Sequence, residues 1–275
     1  MTDPAANAEL ALLLEVAGTP KPGNVDRHRD LANLRFEHFL AGAVGARPGL
    51  DLAAGGAPVG EAFETAVEGM SRQSGGNTQF GCLLLLVPLV KAAAAGDLSP
   101  DGVAAVRDAT TVEDAAGFYR AFEHADVAVA DPPQGMDALD VRCGVDAVPV
   151  LRDRDLTLAD VLARSEGDAN AREWREGFPR TFRAAESMLA DDGPMADRAA
   201  RAFLDLLAGS EDTLVRVQHG PEVAREVRER AAGIESTAEA EAWADELVER
   251  GVNPGTTADL TAAALFVALE RGAEV

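Results

Sequence analysis

Lysine is almost missing from this chain. Lys21 and Lys91 are the only two among 25 basic residues, so every other fixed positive charge is an arginine. Cysteine is as scarce: Cys82 and Cys143 are the only two. Neither has metal-ligand spacing, which argues against a disulfide scaffold and a structural zinc site. Aromatic residues make up only 5%. No Lys/Arg stripe with interleaved aromatics appears, so nucleic acid is not an expected partner. The longest apolar run, 82-CLLLLVPLV-90, is closed by Lys91, well short of the roughly 20 residues that span a bilayer. It reads as core, with Cys82 a small core residue, and a membrane partner is not expected. The opening stretch MTDPAANAEL carries no basic segment before an apolar one. A secretory signal is therefore not expected, and the chain reads as cytoplasmic.

Acid is what the chain has in excess: 47 Asp and Glu give a formal net charge of −22. Most of these carboxylates must form a hydrated, self-repelling surface. Salt relieves that repulsion, since the Debye length falls to about 3 Å at 1 M. Low lysine with abundant Asp, Glu and Ala fits a halophilic, salt-rich cytoplasm. Such a protein still binds a polyanion if Mg²⁺ bridges the two. The 275 residues, 47% of them apolar, suffice for a substantial core. Without a tandem repeat or a clear linker, they read as one domain over 1–275.

Helix signals dominate. Asp3 and Pro4 read as N-cap and first position of a helix to about Val16. Residues 61–70 place Ala62, Ala66 and Met70 on one face with Phe63 and Val67. Residues 82–95 read as a buried helix ended by Gly96, although 82–90 alone also fits a strand. Thr111 with Asp114, Thr157 with Asp160 and Ser236 with Glu239 resemble capping boxes, the first for a helix to about Val129. Pro179 either kinks a helix over 168–190 or starts a new one, while Pro194 and Pro221 start others. Thr256 or Thr257 caps a final helix ending near Gly272. Only 139-LDVRCGVDAVPVL-151 hints at strands. The expected fold class is all-α: a compact multi-helix domain with functional residues on interhelix loops.

Two loops carry the chemistry-bearing residues, 15-EVAGTPKPGNVDRHRD-30 and 74-SGGNTQFG-81. Lys21 sits between two prolines, on a stiff backbone where helix is disfavoured, and its point charge suits a phosphate oxygen. A solvated loop charge is the plainer alternative. Arg27 is a second phosphate candidate. Asp26 and Asp30 are four apart, so a helix starting there would put both on one side, ready to share Mg²⁺ or its waters. Helix-terminal charge is the competing role. His28 suits phosphate contact or base chemistry. Gly75, Gly76 and Asn77 fit a close turn whose amides face an anion, or simply a turn before the apolar run. Asp259 falls in the expected first turn of the final helix, where a carboxylate offsets the dipole.

The chain resembles the CitG/MdcB-like family, the triphosphoribosyl-dephospho-CoA synthases. The first loop matches the family's Glu-Val, Pro-Lys-Pro-Gly-x-Val-Asp, His and Asp block through Glu15, Val16, Pro20, Lys21, Pro22, Gly23, Val25, Asp26, His28 and Asp30. The phenylalanine-bearing 36-FEHFLAGA-43, 75-GGNTQFG-81, 140-DV-141, 157-TLADV-161, Asp168, 177-GF-178 and 253-NPGTTADLTAA-263 continue the match. Departures are Gln79 in place of a histidine, Gly42 in place of a serine, and 212-DTLVRVQHG-220, which keeps Asp212, Thr213, His219 and Gly220 but moves the arginine to Arg216.

The resemblance implies an all-α enzyme in which the 2′-hydroxyl of dephospho-CoA attacks C1′ of ATP and expels adenine. It implies ATP as substrate, Mg²⁺, and a dephospho-CoA-like acceptor; a homodimer is compatible. Asp26, His28 and Asp30 are then the catalytic candidates. Lys21, Gly23, Arg27, Gly75, Gly76, Asn77, Gln79 and His219 are the nucleotide-binding candidates. Asp26, Asp30 and Asp259 are the metal candidates. A related Mg²⁺-dependent enzyme with another phosphorylated acceptor, or a non-catalytic nucleotide-binding protein, are the alternatives. The two loops and the start of the final helix are expected around one cleft, with Lys21 and Asp26 outside the helical core.

Overall fold

Many helices begin in this chain where a side-chain oxygen accepts from a first-turn N–H or where a proline removes one of those N–H groups. Asp3 accepts from the Ala5 and Ala6 amides and Pro4 opens the first helix; Ser99, Thr111, Thr157, Asp168 and Ser236 cap later ones in the same way. In the computed structural model, which describes residues 3–132 and 136–275, the described residues form helices and no strand. In order these are α1 (Pro4–Ala17), α2 (Phe36–Ala54), α3 (Val59–Met70), α4 (Phe80–Ala94), α5 (Pro100–Asp108), α6 (Val112–Ala121), α7 (Val148–Asp153), α8 (Leu158–Ala163), α9 (Ala169–Glu176), α10 (Pro179–Leu189), α11 (Met195–Gly209), α12 (Thr213–His219), α13 (Pro221–Ala232), α14 (Thr237–Arg250) and α15 (Gly255–Glu270). No helix among the described residues is long and apolar enough to cross a membrane.

The centre is set by α4 and α15, which are buried on nearly every side. A helix without a polar face must be surrounded. The two pack on each other; α1, α2 and α3 flank α4, while α1, α10 and α11 flank α15. A smaller core under Trp243 joins α11, α12, α13 and α14 to the start of α15 through Phe203, Leu207, Val215, Val227 and Leu247. A third, made of Val16, Val25 and Phe39, pins the loop between α1 and α2.

Several sequence expectations need correction. The segment 139–151 is not strand: it forms two 3-10 turns, Asp137–Leu139 and Val141–Ala147, followed by α7. Its β-branched residues are outweighed by Gly144 and Pro149, which do not suit a paired strand. The helix expected to reach Val129 stops at Ala121. Of the two readings of Pro179, the second holds: residues 168–190 form two helices, since Gly177 and Phe178 both adopt left-handed backbone (φ 78° and 61°) and Pro179 opens α10. Half of the Ser236 box is made: Ser236 caps the Glu239 amide, but Glu239 accepts from the Glu235 amide instead. The final helix starts at Gly255, before the threonines expected to cap it, so Asp259 lies beyond its first turn. Thr257 is free for another use, described below.

A close helix crossing, between α2 and α3, is made by glycine. A Cβ on Gly45 would collide with the Gly69 carbonyl, and one on Gly69 with the Gly45 carbonyl; Gly49 lies as tightly against Ala62 and Ala66. Overpacking typically costs 1–3 kcal/mol. Gly45→Ala should therefore lose about 1–3 kcal/mol of stability, read as a lower denaturation midpoint in high-salt urea titrations.

Candidate active site

The loop joining α1 to α2 is held from inside. Lys21 is fully buried, and its ammonium is ion-paired with Glu15 of α1 and donates to Asn24 Oδ1 at 3.1 Å. Asn24 Nδ2 in turn donates to Asn253 Oδ1 at 2.9 Å, tying the loop to the entrance of α15. Gly23 makes that approach possible: its φ is +77°, and a Cβ there would collide with the Val252 carbonyl. Burial pushes the Glu15 carboxyl upward, with Lys21 acting against it.

Asp26, also fully buried, is the second rivet. It accepts from the Thr19 hydroxyl, the Lys21 and His28 amides, and the Arg29 guanidinium at 3.1 Å. Arg29 continues outward to Glu241 and Asp245 of α14.

Beside this loop opens a cavity of about 1350 Å³. Asn24, Asn77, Asn253, Gly255 and Asp259 share its wall, so the two loops and the start of α15 do meet at one cleft. One part is apolar and aromatic, with Leu84, Phe80, Phe118, Phe122 and Tyr119. Its charged lining is mostly acidic: among the described residues, Arg164 and Arg216 are the cationic side chains against seven carboxylates.

Asp259 is the carboxylate at the contact of α4 with α15. It accepts from Cys82 Sγ at 3.2 Å and from Asn170 Nδ2 at 2.8 Å. Gly81 of α4 lies so close that any side chain there would occupy the place of Asp259 Oδ2. Burial pushes the Asp259 carboxyl up to about 7, against the two hydrogen bonds and with help from the charges of Asp212 and Glu15. Burial also raises the Cys82 thiol, with the neighbouring carboxylates adding to the effect. Asp212, N-cap of α12, accepts from the Thr257 amide and hydroxyl at 2.7 Å each, which joins α12 to α15.

The candidates named from sequence therefore separate. Asn77 and Asp259 line the cavity. Lys21 stands behind Glu15, inside the core, so it is not a loop charge free to meet phosphate. Asp26 is not outside the core either, and no helix starts there to align it with Asp30. Residues 26 and 29 instead form an isolated antiparallel bridge. Asp30 is exposed and accepts from the Phe36 amide at the start of α2.

Asp26, Asp30 and Asp259 thus occupy three settings, and among the described residues no group of three His, Cys, Asp or Glu forms a metal site. Arg27 and His28 contact each other at 3.3 Å, and neither belongs to the cavity wall. The Gly75 amide donates to Gln73 Oε1 and its Cα abuts His38; Gly76 supplies a left-handed turn residue. Gln79 is buried behind the wall with neither side-chain amide atom bonded. His219 reaches the Gly251 carbonyl instead.

Glu15, Cys82, Asn170, Arg164 and Arg216 were given no site role from sequence. Glu15 and Lys21 had a usable signal, an acid and one of only two lysines six residues apart. Asn170, in 168-DANA-171, had none.

The family model described as ATP:dephospho-CoA triphosphoribosyl transferase (CitG) matches residues 1–274. Among solved structures, the chain is similar to a protein of Archaeoglobus fulgidus assigned as a triphosphoribosyl-dephospho-CoA synthase. The two are 27% identical, with a TM-score of 0.71 over 85% of this chain and 99% of that one. No curated protein matches the chain at a significant level.

Breaking a buried ion pair from one side typically costs 3–5 kcal/mol, because the remaining charge is left uncompensated. Lys21→Met should destabilise the fold by about 3–5 kcal/mol at neutral pH. The loss should shrink on acidification, as the stranded Glu15 takes a proton. The double variant Glu15→Gln/Lys21→Met should recover most of the stability. Urea titrations of the three proteins across pH check this.

Proposed function

The chain belongs to the ATP:dephospho-CoA triphosphoribosyl transferase (CitG) family, and from that premise we propose that its cavity seats ATP and dephospho-CoA side by side for direct transfer between them. The observation that carries this reading is the cavity itself. At about 1350 Å³ it exceeds the roughly 300–1,000 Å³ usual for one small ligand. It also joins an aromatic sector to a polar one, as two nucleotide-bearing substrates require.

Transfer joins an acceptor hydroxyl oxygen to C1′ of ATP and expels adenine, while the triphosphate stays on the ribose. The protein must therefore hold the phosphates without activating them. Arg164 and Arg216 are the groups suited to this, since a guanidinium offers a fixed fork of donors to phosphate oxygens. Arg216 is 58% exposed and its nearest acid, Glu211, is 3.8 Å away, so little holds it back from a ligand. The Phe80, Phe118 and Phe122 sector suits the adenine ring or the apolar stretch of the acceptor's arm.

Magnesium belongs to this reading as part of the nucleotide substrate. The described residues do not fit a resident ion: Asp26 is filled by protein donors, and no three acidic, His or Cys side chains converge. Mg²⁺ favours phosphate oxygens and retained waters, and its charge offsets the carboxylate excess of the cavity. The expected requirement is that activity follows the concentration of the Mg–ATP complex. Added Mg²⁺ should give no further rise once all ATP is complexed. Titrating Mg²⁺ at several ATP concentrations checks this.

The decisive experiment is incubation with Mg–ATP and dephospho-CoA in high salt, followed by chromatography and mass spectrometry. The expected outcome is adenine release matched by a triphosphoribosylated acceptor. Phosphate or pyrophosphate release would point instead to another nucleotide reaction. Arg216→Ala should raise the KM for ATP about 10- to 100-fold, because hydrogen bonds to a charged group contribute about 1.5–3 kcal/mol.

A further inference from the structure

The wall of the cavity holds a polar pair that the fold leaves half satisfied. Asn170, only 6% exposed, spends its Nδ2 on Asp259 while its Oδ1 has no partner. Asp259 receives two neutral donors, Cys82 Sγ and Asn170 Nδ2. No ion pair to Asp259 occurs among the described residues. Both residues belong to the cavity wall, so a carboxylate and a buried, unpartnered amide oxygen stand on neighbouring side chains there, and both are acceptors. A buried acceptor without a donor is costly. The complementary ligand is a pair of adjacent hydroxyl groups.

We propose that Asp259 and Asn170 form the diol site for the ribose of dephospho-CoA, in which Asp259 takes the proton from the attacking hydroxyl and Asn170 Oδ1 accepts from the neighbouring one. This rests on the transfer reaction above. The choice of ribose follows from the chemistry. The acceptor's hydroxyl must lose its proton as it attacks, whereas the hydroxyls of ATP keep theirs.

The surroundings support the same assignment. Facing Asp259 are Cys82 from α4, Glu15 from α1 and Asp212 from the cap of α12, with Asn170 from α9 completing the shell. Burial first, with the charges of Asp212 and Glu15 adding to it, leaves Asp259 with an affinity for protons near neutrality, about 7, where a general base works best. This acidic field opposes a phosphate on the neighbouring ribose oxygen. It therefore selects the dephosphorylated acceptor over coenzyme A itself.

In the step, the hydroxyl proton passes to the Asp259 carboxylate and the oxygen bonds to C1′ of ATP. The C1′–N9 bond breaks with its electron pair on adenine, which takes up a proton from solvent. Asp259 then returns its proton to solvent, so none is gained or lost overall.

Asp259→Asn and Asn170→Ala, assayed beside the unaltered protein from pH 5.5 to 9, test the proposal. The unaltered protein should show kcat/KM rising with pH to a plateau above about 7. Asp259→Asn should lower kcat about 10²- to 10⁴-fold and abolish that rise. Its thermal midpoint at pH 8 should equal or exceed that of the unaltered protein. The sign follows from linkage: a carboxyl whose folded affinity for protons is raised destabilises the fold as pH rises through that range. A merely structural Asp259 would lower the midpoint instead.

Asn170→Ala should raise the KM for dephospho-CoA at least tenfold, leave that for ATP within twofold, and narrow the preference for dephospho-CoA over coenzyme A. Near-normal turnover by Asp259→Asn, or an effect of Asn170→Ala confined to ATP, would overturn the assignment while leaving the family reaction in place. Failure of the unaltered protein to release adenine would remove the reaction and this site together.

Discussion

The ion pair between Lys21 and Glu15 is the constraint on which the site depends. A fully buried ammonium is tolerable only beside a buried anion, and the partner is on α1, at the foot of the cavity. The pair therefore draws the loop after α1 down into the core. Asn24 then reaches Asn253 and Gly23 closes on the Val252 carbonyl, which sets the entrance of α15 against the loop. Asp26 and Arg29 extend the same chain of charge outward to α14. A segment that reads as a stiff phosphate-binding loop is in fact the clamp that seats the cavity wall.

The second constraint is the absence of side chains at the centre. Gly81 lets α4 approach α15 until Asp259 Oδ2 fills the space a Cβ would take. That approach strips the carboxylate of water and supplies two neutral hydrogen bonds in exchange. Its affinity for protons rises because desolvation outweighs those bonds. Packing and chemistry thus share one cause at this point.

An acidic cavity for two polyanionic substrates is less paradoxical than it first looks. In a salt-rich medium exposed charges act over a few ångströms, so the net charge of −22 does not by itself repel a nucleotide at long range. In the proposed arrangement the two arginines and the magnesium that accompanies ATP supply positive charge where phosphate lies. The same arrangement leaves the carboxylates where a ribose, not a phosphate, sits.

What the sequence determined by itself is local: helix starts at Asp3–Pro4, Thr111 and Thr157, and the all-apolar run that becomes α4. Those depend on side chains and backbone within a few residues of each other, so spacing is enough to read them. The family resemblance likewise pointed to loops 15–30 and 74–81, and the cavity lies beside them. The partners of the charges depended on tertiary structure. Whether Lys21 meets water, phosphate or Glu15 is decided by how deeply the loop is drawn in, and Asp26 and Asp30 are parted by a turn where helical spacing had aligned them. Asp259 and Asn170 are 89 positions apart, and no periodicity spans that distance. Only the packing of α4, α9 and α15 brings them together and removes the water that would otherwise make Asp259 an ordinary surface carboxylate.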